Sequence, residues 1–202
     1  MSREILIVYH EPGVRGSEER LRRILHLLRA NGIEARLSAL TEAVENSCWG
    51  ARLVYLLMMG RGGHWLELKE ACGVDASVIP GWVVAKSIAE YLSPRGARSV
   101  LLLYRRAKRN VDVYTRDLEG IAVGLRALDY MVVMLEASMV ERTQLSVDAV
   151  VPLTLLPGSL TRLARKAARL YSALHAAPYF ALYGLENIAS WIAADVTSHA
   201  PV

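Results

Sequence analysis

Residues Leu21 to Ala30 read LRRILHLLRA, and residues Leu118 to Ala127 read LEGIAVGLRA. Five of the ten positions are identical, and three of these are apolar residues at helical spacing. Each stretch follows a short apolar run, Ile5 to Tyr9 (ILIVY) in one case and Val100 to Tyr104 (VLLLY) in the other. A strand and helix repeated in both halves of a 202-residue chain point to an internal duplication.

Working outward, the same order recurs in each half. A second strand is expected at Ile33 to Leu40 and at Asp129 to Leu135, and a buried third strand at Leu53 to Met59 and at Ala149 to Leu155. The third strands align at constant offset, so Gly62 falls opposite Gly158 and His64 opposite Leu160. Helices are expected at Trp65 to Cys72 and at Leu160 to His175. The second would place Leu160, Leu163, Ala167, Leu170, Tyr171 and Leu174 on its core face. Each half then closes with a short strand (Ala76 to Pro80; Tyr179 to Tyr183), a glycine (Gly81; Gly184) and a last helix. Ser17 is placed to cap the first helix, with Glu18 and Glu19 in its opening turn, and Asn31-Gly32 to end it. Strands alternating with helices give parallel sheets with right-handed crossovers. The expected fold is therefore α/β, with two similar doubly wound lobes at 1–95 and 96–202. They join near Ser93 to Ala97, where Ser-Pro-Arg-Gly breaks a helix.

Composition narrows the function classes. The chain is 53% hydrophobic with a mean hydropathy of +0.24, yet each apolar run is far shorter than the roughly 18 residues of a membrane span. The opening residues lack a charged leader, a long apolar region and a small-residue cleavage site, which predicts a cytoplasmic protein. Cys48 and Cys72 are too few for a disulfide framework and are not spaced as zinc ligands, so free thiols are expected. The net charge of +4 suits a polyanionic small molecule, an acidic membrane surface or nucleic acid. No nucleic-acid motif or aromatic-interleaved basic patch supports the last of these.

Ligands of open parallel sheets bind outside the carboxyl ends of the strands. In the first half those ends carry His10, with Glu11 beside it, and the Gly60-Arg61-Gly62-Gly63-His64 stretch. The equivalent loops of the second half carry Arg105, Arg106, Lys108 and Arg109 after one strand and Pro157-Gly158-Ser159-Leu160 after the other. One lobe thus offers imidazoles and the other a cationic wall. Imidazole binds divalent transition metals and titrates near neutral pH, so His10 and His64 are candidate metal ligands. Glu67 lies three residues beyond His64, one helical turn away, where it can orient the ring or take a proton. Equally, it reads as a solvated first-turn glutamate favoured by the helix dipole. Four cations in five residues suit an anion with several carboxylates or phosphates, though such a run also reads as a solvated surface. Arg15 and Arg61 add to that rim. The Gly60 to Gly63 stretch could cradle a phosphate, but it matches neither the dinucleotide fingerprint nor the P-loop.

These motifs resemble those of the class II tetrapyrrole chelatases, the sirohydrochlorin cobaltochelatase and ferrochelatase family. Ile5 to His10 is similar to the family's first strand and its histidine. Leu56 to Glu67 (LLMMGRGGHWLE) is similar to the second motif, a buried strand leading to a glycine pair, a histidine and an acidic residue. Pro152 to Gly158 (PLTLLPG) keeps that strand in the other half without the histidine. The sequence departs from the pattern where Glu11-Pro12-Gly13 follows His10 and where Leu56 replaces a proline. The resemblance implies a chelatase-like fold. The implied reaction inserts Co2+ or Fe2+, as substrate, into sirohydrochlorin or a related tetrapyrrole, with no separate organic cofactor. It places metal delivery and pyrrole deprotonation on His10 and His64, helped by Glu67. Arg15, Arg61, Arg105, Arg106, Lys108 and Arg109 would then face the macrocycle's carboxylates. The alternatives are a non-catalytic tetrapyrrole or polyanion binder of the same fold and, from a different class, a nucleic-acid binder.

Overall fold

The computed structural model describes residues 5–10 and 19–199. The first half contains β1 (Ile5–Tyr9), α1 (Glu19–Ala30), β2 (Arg36–Ala39), α2 (Leu40–Glu45), β3 (Leu53–Leu56), α3 (Gly63–Cys72), β4 (Ser77–Val78) and α4 (Gly81–Leu92). The second contains β5 (Ser99–Tyr104), α5 (Val111–Arg126), β6 (Met131–Glu136), β7 (Ala149–Pro152), α6 (Ser159–Leu170), β8 (His175–Ala176) and α7 (Leu185–Ser198). Two four-stranded sheets result, ordered β2-β1-β3-β4 and β6-β5-β7-β8, with every pairing parallel. The duplication extends to atomic detail. Leu57 N–H donates to the Val8 carbonyl as β3 ends, and Leu153 N–H donates to Leu103 as β7 ends, both at 2.8 Å. β1 and β5 lie between two neighbours with helices on both faces, which is why their sequences are nearly continuous apolar runs.

Helix ends repeat as well. After α1, Gly32 adopts a left-handed φ of 72° and Ile33 N–H reaches back to the Leu28 carbonyl. After α5, Asp129 takes the same position at φ 63°, and Tyr130 N–H reaches Leu125. Ser17 and Glu18, expected at the start of α1, lie outside the described residues.

Three expectations are corrected. The last strand of the second half is His175–Ala176 rather than Tyr179 to Tyr183, where a 3-10 turn at Phe180–Leu182 stands instead. The cause is α6, which stops at Leu170. Ser172 turns left-handed and Ala173 N–H closes on the Ala168 carbonyl, so the chain returns to the sheet early. Leu170 and Leu174 are therefore exposed, and His175 is a strand residue whose ring bonds the Arg95 carbonyl. Secondly, α3 begins at Gly63, so His64 sits inside its first turn rather than ahead of it. Thirdly, Cys48 and Cys72 are joined by a disulfide, not free. Cys48 is the buried residue of an otherwise accessible turn, Ser47–Gly50, and Cys72 ends α3. Both elements cover the same outer core of Leu6, Val8, Leu56 and Leu68, and the shared packing brings the two Cα atoms within 5.4 Å.

The last helix of each half packs on the first helix of the other. α4 crosses α5, and α7 lies along α1. The first crossing is close enough to need glycine: a Cβ on Gly81 would stand 2.7 Å from the Gly120 carbonyl carbon, and one on Gly124 would stand 2.7 Å from the Ala85 Cβ. Polar contacts fasten α7. Asn187 donates to Ser87 and Glu90 of α4, Arg23 of α1 pairs with Glu186, and Tyr55 O–H of β3 donates to Asp195 at 2.7 Å. Burial, then the Asp195 carboxylate, holds the Tyr55 phenol far above its ordinary pKa. One hydrophobic core runs through both halves. No helix among the described residues is long and apolar enough to cross a membrane.

Candidate functional site

β1 ends at Tyr9 and delivers His10. β3 ends at Leu56, and the short connection after it delivers His64 on the first turn of α3. Because β1 and β3 are adjacent parallel strands, both histidines emerge at one sheet edge. Their ring centroids lie 4.5 Å apart with planes tilted by 49°. Glu67 stands one turn along α3, with its Oε2 3.3 Å from His64 Nδ1. When Nδ1 carries the proton it donates to Glu67, which leaves the Nε2 lone pair available to a ligand. His10 is exposed and the His64 side chain is 40% exposed, so solvent and solutes reach the pair. A metal ion about 2.0–2.1 Å from one nitrogen of each ring is compatible with rings this close. Among the described residues no group of three or more His, Cys, Asp or Glu could hold a metal, and the imidazole pair offers two donors.

The cationic loop between β5 and α5 lies against the same helix. Arg109 pairs with Glu70 of α3 at 2.9 Å, and Glu70 is one turn beyond Glu67. A Cβ on Gly63, the residue before His64, would be 3.7 Å from the Arg109 Cβ. Arg105 donates to Ser159 Oγ at 2.6 Å, which leans it on the start of α6. Arg106 and Lys108 are exposed and have no ion pair or hydrogen bond among the described residues. These are the cations best able to take an incoming anion. Arg15 and Glu11 lie outside the described residues.

Arg61 has a different setting from the rim expected of it. Its guanidinium grips Asp117 of α5 through two bonds, at 3.0 and 2.7 Å, and its backbone N–H gives the same carboxylate a third at 2.7 Å. Its carbonyl accepts from Asn110 at 2.6 Å. The hydrogen bond to Asp117 raises the guanidinium's pKa further. Arg61 therefore rivets the loop carrying His64 to the second half. The glycines beside it serve that contact: Cβ atoms on Gly60 and Gly62 would stand 3.0 and 3.4 Å from the Tyr114 ring. Burial pushes the Tyr114 phenol up to about 12, so it remains a neutral packing group at ordinary pH. Close approach of two chain segments accounts for the glycine run without a phosphate. A cleft of about 560 Å³ adjoins this rivet, lined by Arg61, Asp117, Trp65 and Trp191, but neither histidine lines it.

Sequence reading missed Asp117, Asn110, Tyr114 and Glu70. Only Glu70 left a local signal, since it repeats the three-residue spacing from His64 to Glu67 on one helix face. The other three act across the two halves, where local pattern carries no information.

No known family model matches the chain, and no curated protein matches it by sequence. Solved structures do. SirB from Bacillus subtilis with Fe3+ superposes at a TM-score of 0.65 with 18% identity, over 98% of this chain and 96% of that one. The sirohydrochlorin chelatase SirB from Bacillus subtilis subspecies spizizenii, in complex with cobalt, gives 0.65 and 17%, over 100% and 97%. CbiX, described as the terminal enzyme for siroheme biosynthesis in denitrifying bacteria, gives 0.64 and 17%, over 98% and 100%. At these identities the likeness establishes the fold: the chain has the two-sheet α/β architecture of the sirohydrochlorin chelatases.

Proposed function

From a fold shared with sirohydrochlorin chelatases, we propose that this protein inserts a divalent metal ion, Co2+ or Fe2+, into sirohydrochlorin or a related polycarboxylated tetrapyrrole. The observation that carries the reading is the juxtaposition of the His10–His64 pair, 4.5 Å between centroids, with a cationic loop joined to the same helix through Arg109 and Glu70. Metal and macrocycle are both substrates. His10 and His64 hold the ion by two nitrogens, few enough that it can leave. Arg106 and Lys108 attract peripheral carboxylates and set the ring over the imidazoles. Insertion releases two pyrrole protons as the macrocycle's nitrogens replace the protein's. Two imidazoles freed of metal are the acceptors at hand, and Glu67 stabilises the imidazolium that forms on His64. The solved structures with Fe3+ and with cobalt support iron and cobalt as elements bound by their own proteins; the extension to this chain, and to the divalent ions, is part of the proposal.

Purified protein incubated with sirohydrochlorin and Co2+ or Fe2+ should accelerate the change in visible absorption over the spontaneous rate. His10→Ala and His64→Ala should each lower the rate by about a hundredfold or more, the usual contribution of a proton-transfer group. No acceleration with either metal would overturn the chelatase reading. Unchanged rates in both variants would overturn the assignment of the site.

A further inference from the structure

The two sheets differ most at one outer edge. In the first half that edge is β2, four residues long. It opens with Arg36, whose guanidinium lies 3.5 Å over the Trp49 ring, and leads directly into α2. Short length and charge are the usual means of blunting a sheet edge. The counterpart in the second half is β6, MVVMLE, which is six residues long with no charge before Glu136. Met131 is 68% exposed and Val133 37%. Met131 N–H points inward to the Arg98 carbonyl, so by strand alternation Val132, Met134 and Glu136 turn their backbone groups outward.

We infer that β6 pairs with β6 of a second copy of this chain in antiparallel register, forming a two-fold dimer with one continuous eight-stranded sheet. The outward-facing residues dictate the register. The axis passes Met134, which meets its own copy, and Val132 stands opposite Glu136. Charge then complements across the axis. Arg126 lies on the outward Val132 carbonyl at 3.3 Å, a long contact that takes one of its two lone pairs and leaves the other for the incoming backbone N–H, so each Glu136 carboxylate arrives beside the partner's Arg126. The apolar ends match as well: exposed Leu128 lies just before the strand and exposed Met139 just after it, and the two-fold brings one toward the other. A parallel or shifted pairing loses both matches. The histidine site is not involved, so the inference stands independently of the chelatase reading.

The test is the mass of the full chain in solution by light scattering and sedimentation. The native protein should be a dimer at micromolar concentration. Val133→Lys, at an exposed position, should give a folded monomer with an unchanged circular dichroism spectrum. Arg126→Glu and Glu136→Arg should each weaken the dimer by at least about tenfold through like-charge contact, and the double exchange should restore it. A monomer at all concentrations up to about 100 µM, or a dimer indifferent to Val133→Lys and to the charge exchange, would overturn the proposal.

Discussion

Three glycines at the α4–α5 crossing should respond to the same substitution with different signs. Alanine in place of glycine inside an exposed helix stabilises by about 1 kcal/mol, because glycine loses more backbone entropy on folding. Gly120 lies in mid-helix and a Cβ there meets nothing within 4 Å. Gly120→Ala should therefore gain about 1 kcal/mol, or roughly 2–4 °C of melting temperature in a chain of this size. Gly124→Ala earns the same propensity but drives a methyl to 2.7 Å from the Ala85 Cβ. Overpacking of this kind costs about 1–3 kcal/mol, which leaves a net loss near 1. Gly81→Ala has the least compensation, since it opens α4 and its Cβ would meet the backbone of α5, 2.7 Å from the Gly120 carbonyl carbon and 2.9 Å from Ile121 N. Main chain cannot swing aside, so the helices must part, at about 2–3 kcal/mol. Urea unfolding of the three variants gives the order directly. Moving the methyl across the interface, with Ala85→Gly in the Gly124→Ala background, should recover most of the loss and yield a coupling energy of about 1–3 kcal/mol. If Gly81→Ala and Gly124→Ala stabilise as much as Gly120→Ala does, the crossing is not the close contact described here. The crossing also bears on the site, because the first turns of α5 carry Tyr114 and Asp117, which hold the His64 loop.

Reduction of the Cys48–Cys72 disulfide, which closes a 24-residue separation, should lower stability by about 3 kcal/mol on the loop-entropy estimate. The melting temperature should fall on adding dithiothreitol in the native protein but not in the Cys48→Ala/Cys72→Ala variant. Asp148 accepts the backbone N–H groups of Arg98 and Ser99, which hold its carboxyl below the ordinary value. A carboxylate with a depressed folded-state pKa contributes stability above its unfolded pKa, about 3.9, and loses it as pH falls through the folded value. Acid unfolding curves should therefore be shallower in Asp148→Asn below about pH 4, and an unchanged acid limb would count against that role.

What the sequence disclosed, and what it withheld, follows from the range over which each feature is encoded. The succession of strands and helices and the carboxyl edge came from alternation and from the repeat, both properties of neighbouring residues. The sequence accordingly puts His10 and His64 at one edge, and the structure sets their rings side by side. Periodicity reports which face of a helix is apolar but not where the helix stops or what covers it. Leu170 and Leu174 continue the apolar stripe of α6, yet the left-handed Ser172 ends the helix and both leucines face solvent. The disulfide joins two residues whose spacing matches no motif, and only the shared outer core makes them neighbours. Arg61 shows the consequence for function. As an isolated cation beside a histidine it reads as part of an anion rim, whereas its carboxylate partner lies 56 positions later in the other half. That partner converts it from a cation open to ligand into the fastening that sets the imidazoles against the cationic loop. The two copies of the repeat have thus diverged in kind, one keeping imidazole and the other cations, and the contacts joining them are residues that neither half specifies alone.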